Sequence, residues 1–107
     1  MSIFDFFKQP DIHKGLKEYA QTENAVLLDV RTPQEYREGH IPESINIPLQ
    51  TIDKVTSIAK NKDTALFVYC YSGTRSRQAT ALLQNMGYAN VQNIGGMSAY
   101  EGKVESL

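Results

Sequence analysis

Two short apolar runs constrain the fold of this chain more than any other feature of its sequence. Residues 25–30 (AVLLDV) and residues 65–69 (ALFVY) are apolar at nearly every position and contain β-branched or aromatic side chains. A strand with one face in water alternates apolar and polar residues, whereas a strand covered on both faces is apolar almost throughout. The two runs therefore predict central strands of a mainly parallel sheet that carries helices on both faces.

Helical patterns precede and follow the first of these runs. Asp11 is a suitable N-cap residue, and the apolar side chains after it recur at the helical period. Those side chains are Ile12, Leu16 and Tyr19. Residues 32–35 (TPQE) have the threonine, proline and glutamate of a capping box, and Gly39 is placed to end the short helix that they begin.

The second half of the chain continues the alternation of strand and helix. Short strands are predicted over residues 44–48 and 91–94, and helices over residues 51–59, 76–86 and 97–100. The apolar positions assigned to the buried faces of the two longer helices are Ile52, Val55, Ile58, Ala59, Ala79, Leu82, Leu83 and Met86. This order of elements predicts an α/β fold, a three-layer sandwich with a mainly parallel central sheet and helices on both faces.

Length and charge narrow the range of functions. The chain has 107 residues, the size of one domain, and we divide it into an N-terminal aromatic segment (1–10) and a domain (11–107). In the segment, Ile3, Phe6 and Phe7 are spaced for one helical face, and docking on its own domain is the simplest expectation, with a second copy or another partner as the alternatives. The formal net charge of -1 disfavours nucleic acid or a membrane surface as a partner. With no apolar stretch near the about 20 residues of a spanning helix and no secretion signal, the chain is predicted to be cytoplasmic.

The single cysteine is the most informative polar position. It excludes an internal disulfide and a cysteine-rich zinc site, and we expect no metal. Cys70 directly follows the second apolar run, and a loop of residues 71–74 separates it from a helix predicted to begin near Arg75. In open α/β sheets ligands bind at this place, beyond the carboxyl ends of the strands, where the amides of the next helix point at them.

The surroundings of Cys70 predict a thiol with a lowered pKa. The positive end of the helix, the loop N–H groups and the guanidinium of Arg75 or Arg77 all favour the thiolate. Gly73 can adopt a positive φ, which lets the loop turn with its amides inward. A lone cysteine is more often buried and inert, but the strand–loop–helix placement favours a reactive one.

Three stretches of the chain together form a family signature. They are residues 27–48 with LLDVR, EY, GHIP and INIP, residues 68–76 with VYCYSGTRS, and residues 87–97 with GYANVQNIGGM. The stretches resemble a single-domain rhodanese, a thiosulfate or persulfide sulfurtransferase, over residues 11–103. In this family the loop cysteine takes a sulfane sulfur from a donor, holds it as a persulfide and passes it to a nucleophilic acceptor.

The resemblance implies roles for the loop residues. Cys70 is the expected nucleophile, thiosulfate a typical donor, and cyanide, a small thiol or a protein thiol the acceptor. The residues assigned to substrate binding are Arg75, Tyr71, Ser72, Gly73, Thr74 and Ser76. Arg75 is the expected clamp for the donor's anionic group, because a guanidinium binds oxyanions through charge-assisted hydrogen bonds. No metal or organic cofactor is expected, and an external acceptor has to discharge the persulfide because the chain has no second cysteine.

Two other functions compete with sulfur transfer. A phosphatase or arsenate reductase of similar fold needs a wider loop, with five residues between the cysteine and the arginine. Here Arg75 follows Cys70 after four residues, and position 76 is serine. The other competitor is a non-catalytic binding module of the same family, and such modules commonly lack the cysteine. Sulfur transfer is therefore the favoured function.

Two carboxylates are candidates for support of the site. Asp29 could face the same crevice as Cys70, and Glu35 could accept hydrogen bonds from loop amides. We favour structural roles for both, with Asp29 orienting a turn and Glu35 completing the capping box.

The remaining polar and aromatic candidates receive simpler assignments. A structural role is predicted for His40 and a solvated position on a helix for His13. Two positions stay open for Tyr71, Met97 and Tyr100. They either line the rim of the pocket or pack on the surface of the domain.

Overall fold

A four-stranded parallel sheet forms the centre of residues 10–107, the part of the chain that the computed structural model describes. Its strands in chain order are β1 (Val26–Asp29), β2 (Ile45–Asn46), β3 (Leu66–Cys70) and β4 (Val91–Gly96). Their spatial order is β2-β1-β3-β4, and each neighbouring pair is parallel. The two apolar runs of the sequence form the inner strands β1 and β3, as predicted.

Helices cover both faces of the sheet. They are α1 (Ile12–Gln21), α2 (Pro33–Glu38) and α3 (Thr74–Asn85), with 3-10 helices at Leu49–Ser57 and Met97–Ala99. Along β3, Leu66, Val68 and Cys70 pack in one core cluster with side chains of α3 and of the longer 3-10 helix. The alternate side chains Phe67 and Tyr69 pack in a second cluster with α1. The predicted three-layer α/β sandwich is confirmed.

The predicted helix starts carry the side-chain caps that the sequence indicates. The Asp11 carboxylate accepts the N–H groups of His13 at 3.1 Å and Lys14 at 3.3 Å. At the start of α2, the Thr32 hydroxyl accepts the N–H of Glu35, and the Glu35 carboxylate accepts the N–H of Thr32. This reciprocal capping box fixes the position of Glu35 relative to the end of β1.

One predicted helix has a different period. The segment predicted as a helix over residues 51–59 is 3-10 helical within Leu49–Ser57, with a kink at Thr51, where φ is -123° and ψ is 31°. With three residues per turn, it buries Ile52 and Val55 on one face. The prediction that Ile58 is also buried is wrong, because its side chain is 43% exposed.

The helix after the cysteine loop differs in its start and in one buried position. α3 begins at Thr74, one or two residues before the start predicted at residues 75–76. Its buried residues Ser76, Ala79 and Leu83 are three and four positions apart and share one face. The prediction that Leu82 faces inward is wrong, since it lies about 100° around the helix from Leu83 and is 43% exposed.

The edge strands differ in length from the prediction. β2 spans two residues rather than residues 44–48, and β4 continues through Gly95 and Gly96 instead of ending at residue 94. The register between β3 and β4 shifts between Val68 and Tyr69. This irregularity pairs Gly96 with the cysteine that ends β3.

The division into a segment of residues 1–10 and a domain of residues 11–107 stays a prediction. Residues 1–9 lie outside the described part of the chain, and so does the expected docking of Ile3, Phe6 and Phe7. Among residues 10–107, no helix is long and apolar enough to cross a membrane.

Candidate active site

Cys70 lies at the carboxyl end of β3, with its thiol enclosed by the loop that follows. The Gly73 N–H donates a hydrogen bond to Sγ at 3.0 Å, and the Ser76 hydroxyl lies 3.4 Å from the same atom. Cys70 has 0% of its surface exposed.

Two glycines allow the loop to take this shape. Gly73 is the N-cap of α3 and has a φ of +96°, in the left-handed region that favours glycine. Gly96 lies against the loop so closely that a Cβ there would collide with the Tyr71 carbonyl group. The Tyr71 carbonyl oxygen also accepts the Ser98 N–H at 3.0 Å. The end of β4 thus supports the loop, a function of the double glycine that the sequence analysis missed.

The pKa of the Cys70 thiol is lowered, as predicted. Burial raises this pKa, but hydrogen bonds from the Ser76 side chain and from the N–H groups of Ser76, Gly73 and Ser72 outweigh it. Three of these donors are backbone amides of the loop and of the first turn of α3. The predicted contribution of loop amides is confirmed, but the largest favourable contributions come from the side chain and the N–H of Ser76 in the first turn of α3.

Arg75 is engaged by a carboxylate from another part of the chain. Its Nη1 lies 2.7 Å from Glu35 Oε1 and its Nη2 lies 3.1 Å from Glu35 Oε2, which makes the contact bidentate. Glu35 Oε1 also accepts the N–H of Thr32 at 3.1 Å. The hydrogen bond from Arg75 is the main reason that the pKa of Glu35 falls to about 2.

The structure confirms Glu35 as the capping-box partner and adds a contact that the sequence analysis missed. The glutamate is more than a capping-box partner, and its additional ligand is the Arg75 guanidinium rather than a loop amide. The Arg75 side chain is 33% exposed and that of Glu35 is 32% exposed. Arg75 is therefore solvent-accessible, but its guanidinium already holds an anionic group.

Asp29 forms a different ion pair. Its carboxylate is 0% exposed and lies 2.7 Å from Nη2 of Arg31. The same Nη2 donates to the Gly39 carbonyl oxygen at 2.6 Å, so the pair ties the end of β1 to the residue that follows α2. The structural role that we favoured for Asp29 fits this arrangement.

A cleft of about 390 Å³ opens beside the loop. Its lining residues are Arg31, Glu35, Glu38, Gly39, Tyr71 and Met97. Tyr71 is 53% exposed there. Tyr100 packs instead against the core cluster on the α1 side of the sheet, and its hydroxyl donates to the Lys103 carbonyl oxygen at 2.6 Å. Of the three residues left open, Tyr71 and Met97 line the cleft and Tyr100 packs on the domain.

The hydroxyl residues of the loop divide into two groups. Ser72 and Thr74 are exposed, and their hydroxyl oxygens lie 3.5 Å from each other. Ser76 is fully buried and contacts the thiol. Arg77 is exposed on α3 and is absent from the groups that lower the Cys70 pKa.

The two histidines have structural contacts. His40 is buried, stacks on Tyr36 with 3.8 Å between ring centroids, and has Nδ1 2.7 Å from the Tyr36 carbonyl oxygen, which confirms its structural role. His13 is exposed, as predicted, but its Nε2 also accepts the Glu101 N–H at 3.1 Å.

Asn93 on β4 is a site residue that the sequence analysis missed. Its Oδ1 lies 2.7 Å from the Ser76 hydroxyl oxygen, and its Nδ2 donates to the Gly73 carbonyl oxygen at 3.2 Å. Asparagine is uncommon in strands, so its place in the run VQNI ahead of two glycines was the available signal.

A thiol at the end of a parallel strand, enclosed by the amides of a short loop ahead of a helix, is the arrangement that the family signature implies. Residues 13–103 match the rhodanese-like domain family. The chain belongs to the rhodanese family.

Named relatives and a solved structure agree with this assignment. A sulfurtransferase of Allochromatium vinosum is 41% identical over 83 residues, which cover 76% of each chain. The thiosulfate sulfurtransferase PspE of Escherichia coli is 38% identical over 71 residues, covering 65% of this chain and 68% of PspE. A rhodanese with anions from E. coli superposes with a TM-score of 0.72 at 32% identity, over 77% of this chain and 98% of the other. These likenesses support sulfurtransferase activity in the general sense.

Proposed function

We propose that this protein moves a sulfane sulfur from a donor such as thiosulfate to a thiophilic acceptor through a persulfide on Cys70. The observation that carries the proposal is the position of the only thiol, whose Sγ accepts the Gly73 N–H at 3.0 Å and whose pKa is lowered. A low thiol pKa provides the attacking thiolate at neutral pH.

The reaction balances with the groups at hand. The Cys70 thiolate attacks the outer sulfur of thiosulfate, a new S–S bond forms, and sulfite leaves with the electron pair of the old bond. In the second half, cyanide or an acceptor thiolate attacks the outer sulfur of the persulfide, and Cys70 returns as the thiolate. The inward N–H groups of the loop stabilise negative charge on sulfur in both halves.

Arg75 is the proposed binding group for the sulfonate of the donor. Because Glu35 holds both terminal nitrogens of Arg75, an anionic donor binds by exchange, replacing the carboxylate as the bidentate partner. Glu35 then keeps its hydrogen bond from the Thr32 N–H. A rhodanese of this fold has been solved with anions, which supports anion binding in such a domain.

The cleft beside Tyr71 and Met97 is the proposed approach for the acceptor. Small thiols and cyanide fit this path, and so does an exposed thiol on another protein. We place the reaction in the cytoplasm, because an unpaired reactive thiol persists best in a reducing compartment.

Intact-mass spectrometry tests the proposed function. After incubation with thiosulfate, the protein should gain the mass of one sulfur atom, and cyanide should remove that mass while thiocyanate appears. Cys70→Ser is the control and should gain nothing. If the wild-type protein gains no sulfur mass, the persulfide proposal is wrong and a non-catalytic binding module is the better interpretation. If the protein instead releases phosphate from an aryl phosphate, a phosphatase is favoured.

A further inference from the structure

The buried hydroxyl of Ser76 can donate only one hydrogen bond, but several possible acceptors lie close to it. Its oxygen lies 2.7 Å from Asn93 Oδ1 and 3.1 Å from the Gly73 carbonyl oxygen. It also lies 3.4 Å from Cys70 Sγ. A serine hydroxyl has one proton, and Ser76 is 0% exposed, so the direction of this single O–H bond is decided inside the protein.

The orientation of the Asn93 amide determines where the proton points at rest. Oδ1 accepts the Gly95 N–H at 3.0 Å, and Nδ2 donates to the Gly73 carbonyl oxygen at 3.2 Å. If the amide were flipped, its NH₂ group would face the Gly95 N–H, and its oxygen would face the Gly73 carbonyl oxygen. Asn93 Oδ1 is therefore an acceptor toward Ser76, and the 2.7 Å contact requires Ser76 to donate to it.

This assignment also determines the bond between Ser76 and the neutral thiol. With its proton directed to Asn93, the Ser76 oxygen can only accept from the Cys70 S–H. When Cys70 ionises, its proton leaves to solvent. If the Ser76 proton stayed on Asn93, the Sγ and Ser76 oxygen lone pairs would then face each other with no proton between them. The Ser76 O–H has to turn to the thiolate, and Asn93 Oδ1 keeps its bond from Gly95.

We propose that Ser76 is a hydrogen-bond switch with two positions and that Asn93 is a positioning residue that holds the resting one. The thiol state has O–H directed to Asn93, and the attacking thiolate has O–H directed to Sγ. In the persulfide the negative charge lies on the outer sulfur, so the hydroxyl returns to Asn93. The inference rests on the proposed function, in which the Cys70 thiolate is the attacking group.

Opposite shifts of the thiol pKa in two variants test the switch. Ser76→Ala removes the donor to the thiolate and should raise the thiol pKa by about one unit. Asn93→Ala removes the nearest competing acceptor, at 2.7 Å, and leaves the more distant Gly73 carbonyl oxygen at 3.1 Å, so it should lower the thiol pKa by roughly half a unit. The measurement is the ultraviolet absorbance of the thiolate against pH, with Cys70→Ser as the blank, so no reagent has to enter the site.

A matched control and a double variant complete the test. Thr80→Val removes another hydroxyl of α3, one that donates to the Ser76 carbonyl oxygen, and should leave the thiol pKa unchanged. In the Ser76→Ala background, Asn93→Ala should no longer shift the pKa, because its effect passes through the serine. A purely structural role predicts shifts of the same sign in both single variants, which would overturn the proposal.

A second substitution keeps the test decisive if Asn93→Ala does not fold. Asn93→Asp retains the acceptor for the Gly95 N–H and holds the Ser76 proton more tightly, so it should raise the thiol pKa more when Ser76 is present than in Ser76→Ala. Equal shifts in the two backgrounds contradict the switch. These readouts do not require sulfur transfer, so they are independent of the mass-spectrometric test.

Discussion

Two arginine–carboxylate pairs lie near the cysteine loop, and they differ in burial and in sequence separation. Asp29 and Arg31 are two residues apart, and their side chains are 0% and 6% exposed. Glu35 and Arg75 are 40 residues apart and about one-third exposed. The first pair also holds the Gly39 carbonyl group, and one residue of each pair, Arg31 and Glu35, lines the cleft beside the loop.

The difference in burial assigns the two pairs to different tasks. Opening a buried pair leaves an uncompensated charge in the interior, so the Asp29–Arg31 pair is suited only to fixing the strand end. An ion pair that is about one-third exposed contributes less to stability than a buried one, and water or an incoming anion can replace one partner. An anion site beside a nucleophile has to release its resting partner with little loss of free energy. The Glu35–Arg75 pair permits this, because an anion can replace the Glu35 carboxylate on Arg75.

The largest effect is expected from breaking the buried pair. Asp29→Asn should lower the free energy of unfolding by about 3 to 5 kcal/mol, because the Arg31 charge is left buried without a partner. Urea denaturation measures this change. Glu35→Gln is the comparison variant and should cost less than about 1 kcal/mol. Equal costs for the two variants contradict the distinction drawn between the pairs.

The next effect is on catalysis and concerns Arg75. Arg75→Ala should lower kcat/KM for thiosulfate by roughly 10- to 100-fold, the value of one lost charge-assisted contact, and raise the pKa of the Cys70 thiol. Arg75→Lys should keep part of the activity, since the charge remains while the bidentate geometry is lost. Steady-state kinetics with thiosulfate and cyanide measure both variants. Arg77→Ala is the control. If Arg77→Ala lowers kcat/KM and Arg75→Ala does not, Arg75 is not the group that binds the donor.

A smaller and opposite effect is expected from Glu35. Glu35→Gln keeps the capping box, since glutamine serves at that position as well, but it competes less strongly for the guanidinium. The KM for thiosulfate should therefore fall by roughly two- to fivefold. Glu38→Gln removes a charge from the same cleft without touching Arg75 and should have less effect. An unchanged KM in Glu35→Gln removes the support for exchange.

The smallest effect is a dependence of stability on acid. The pKa of Glu35 is lowered from 4.5 to about 2, chiefly by Arg75, so the ion pair stabilises the fold above pH 4.5 and loses this contribution as pH falls toward 2. The difference in unfolding free energy between the wild-type protein and Glu35→Gln should be constant at neutral pH and shrink across that interval. Urea titrations at several pH values measure it, and a difference that grows on acidification contradicts the pairing.

Features that depend on neighbouring residues in the sequence were predictable. The inner strands follow from two continuous apolar runs, the start of α2 from the capping box, and the lowered pKa of Cys70 from its place between a strand and a helix. Each of these patterns spans only a few residues, and backbone geometry converts it directly into structure. The family signature in turn follows from three such local stretches.

Only the tertiary structure decided which distant groups meet. The sheet order places β1 beside β3, which brings Glu35 after β1 to Arg75 after β3, and a register shift places Gly96 against the loop. Asn93 reaches Ser76 in the same way, from the strand next to β3. The exposure of Leu82 likewise depends on what packs against α3. The preference of a residue for helix or strand is a local property. The residue that it contacts is decided by how elements far apart in the chain pack together, and the sequence pattern of one element does not predict that contact.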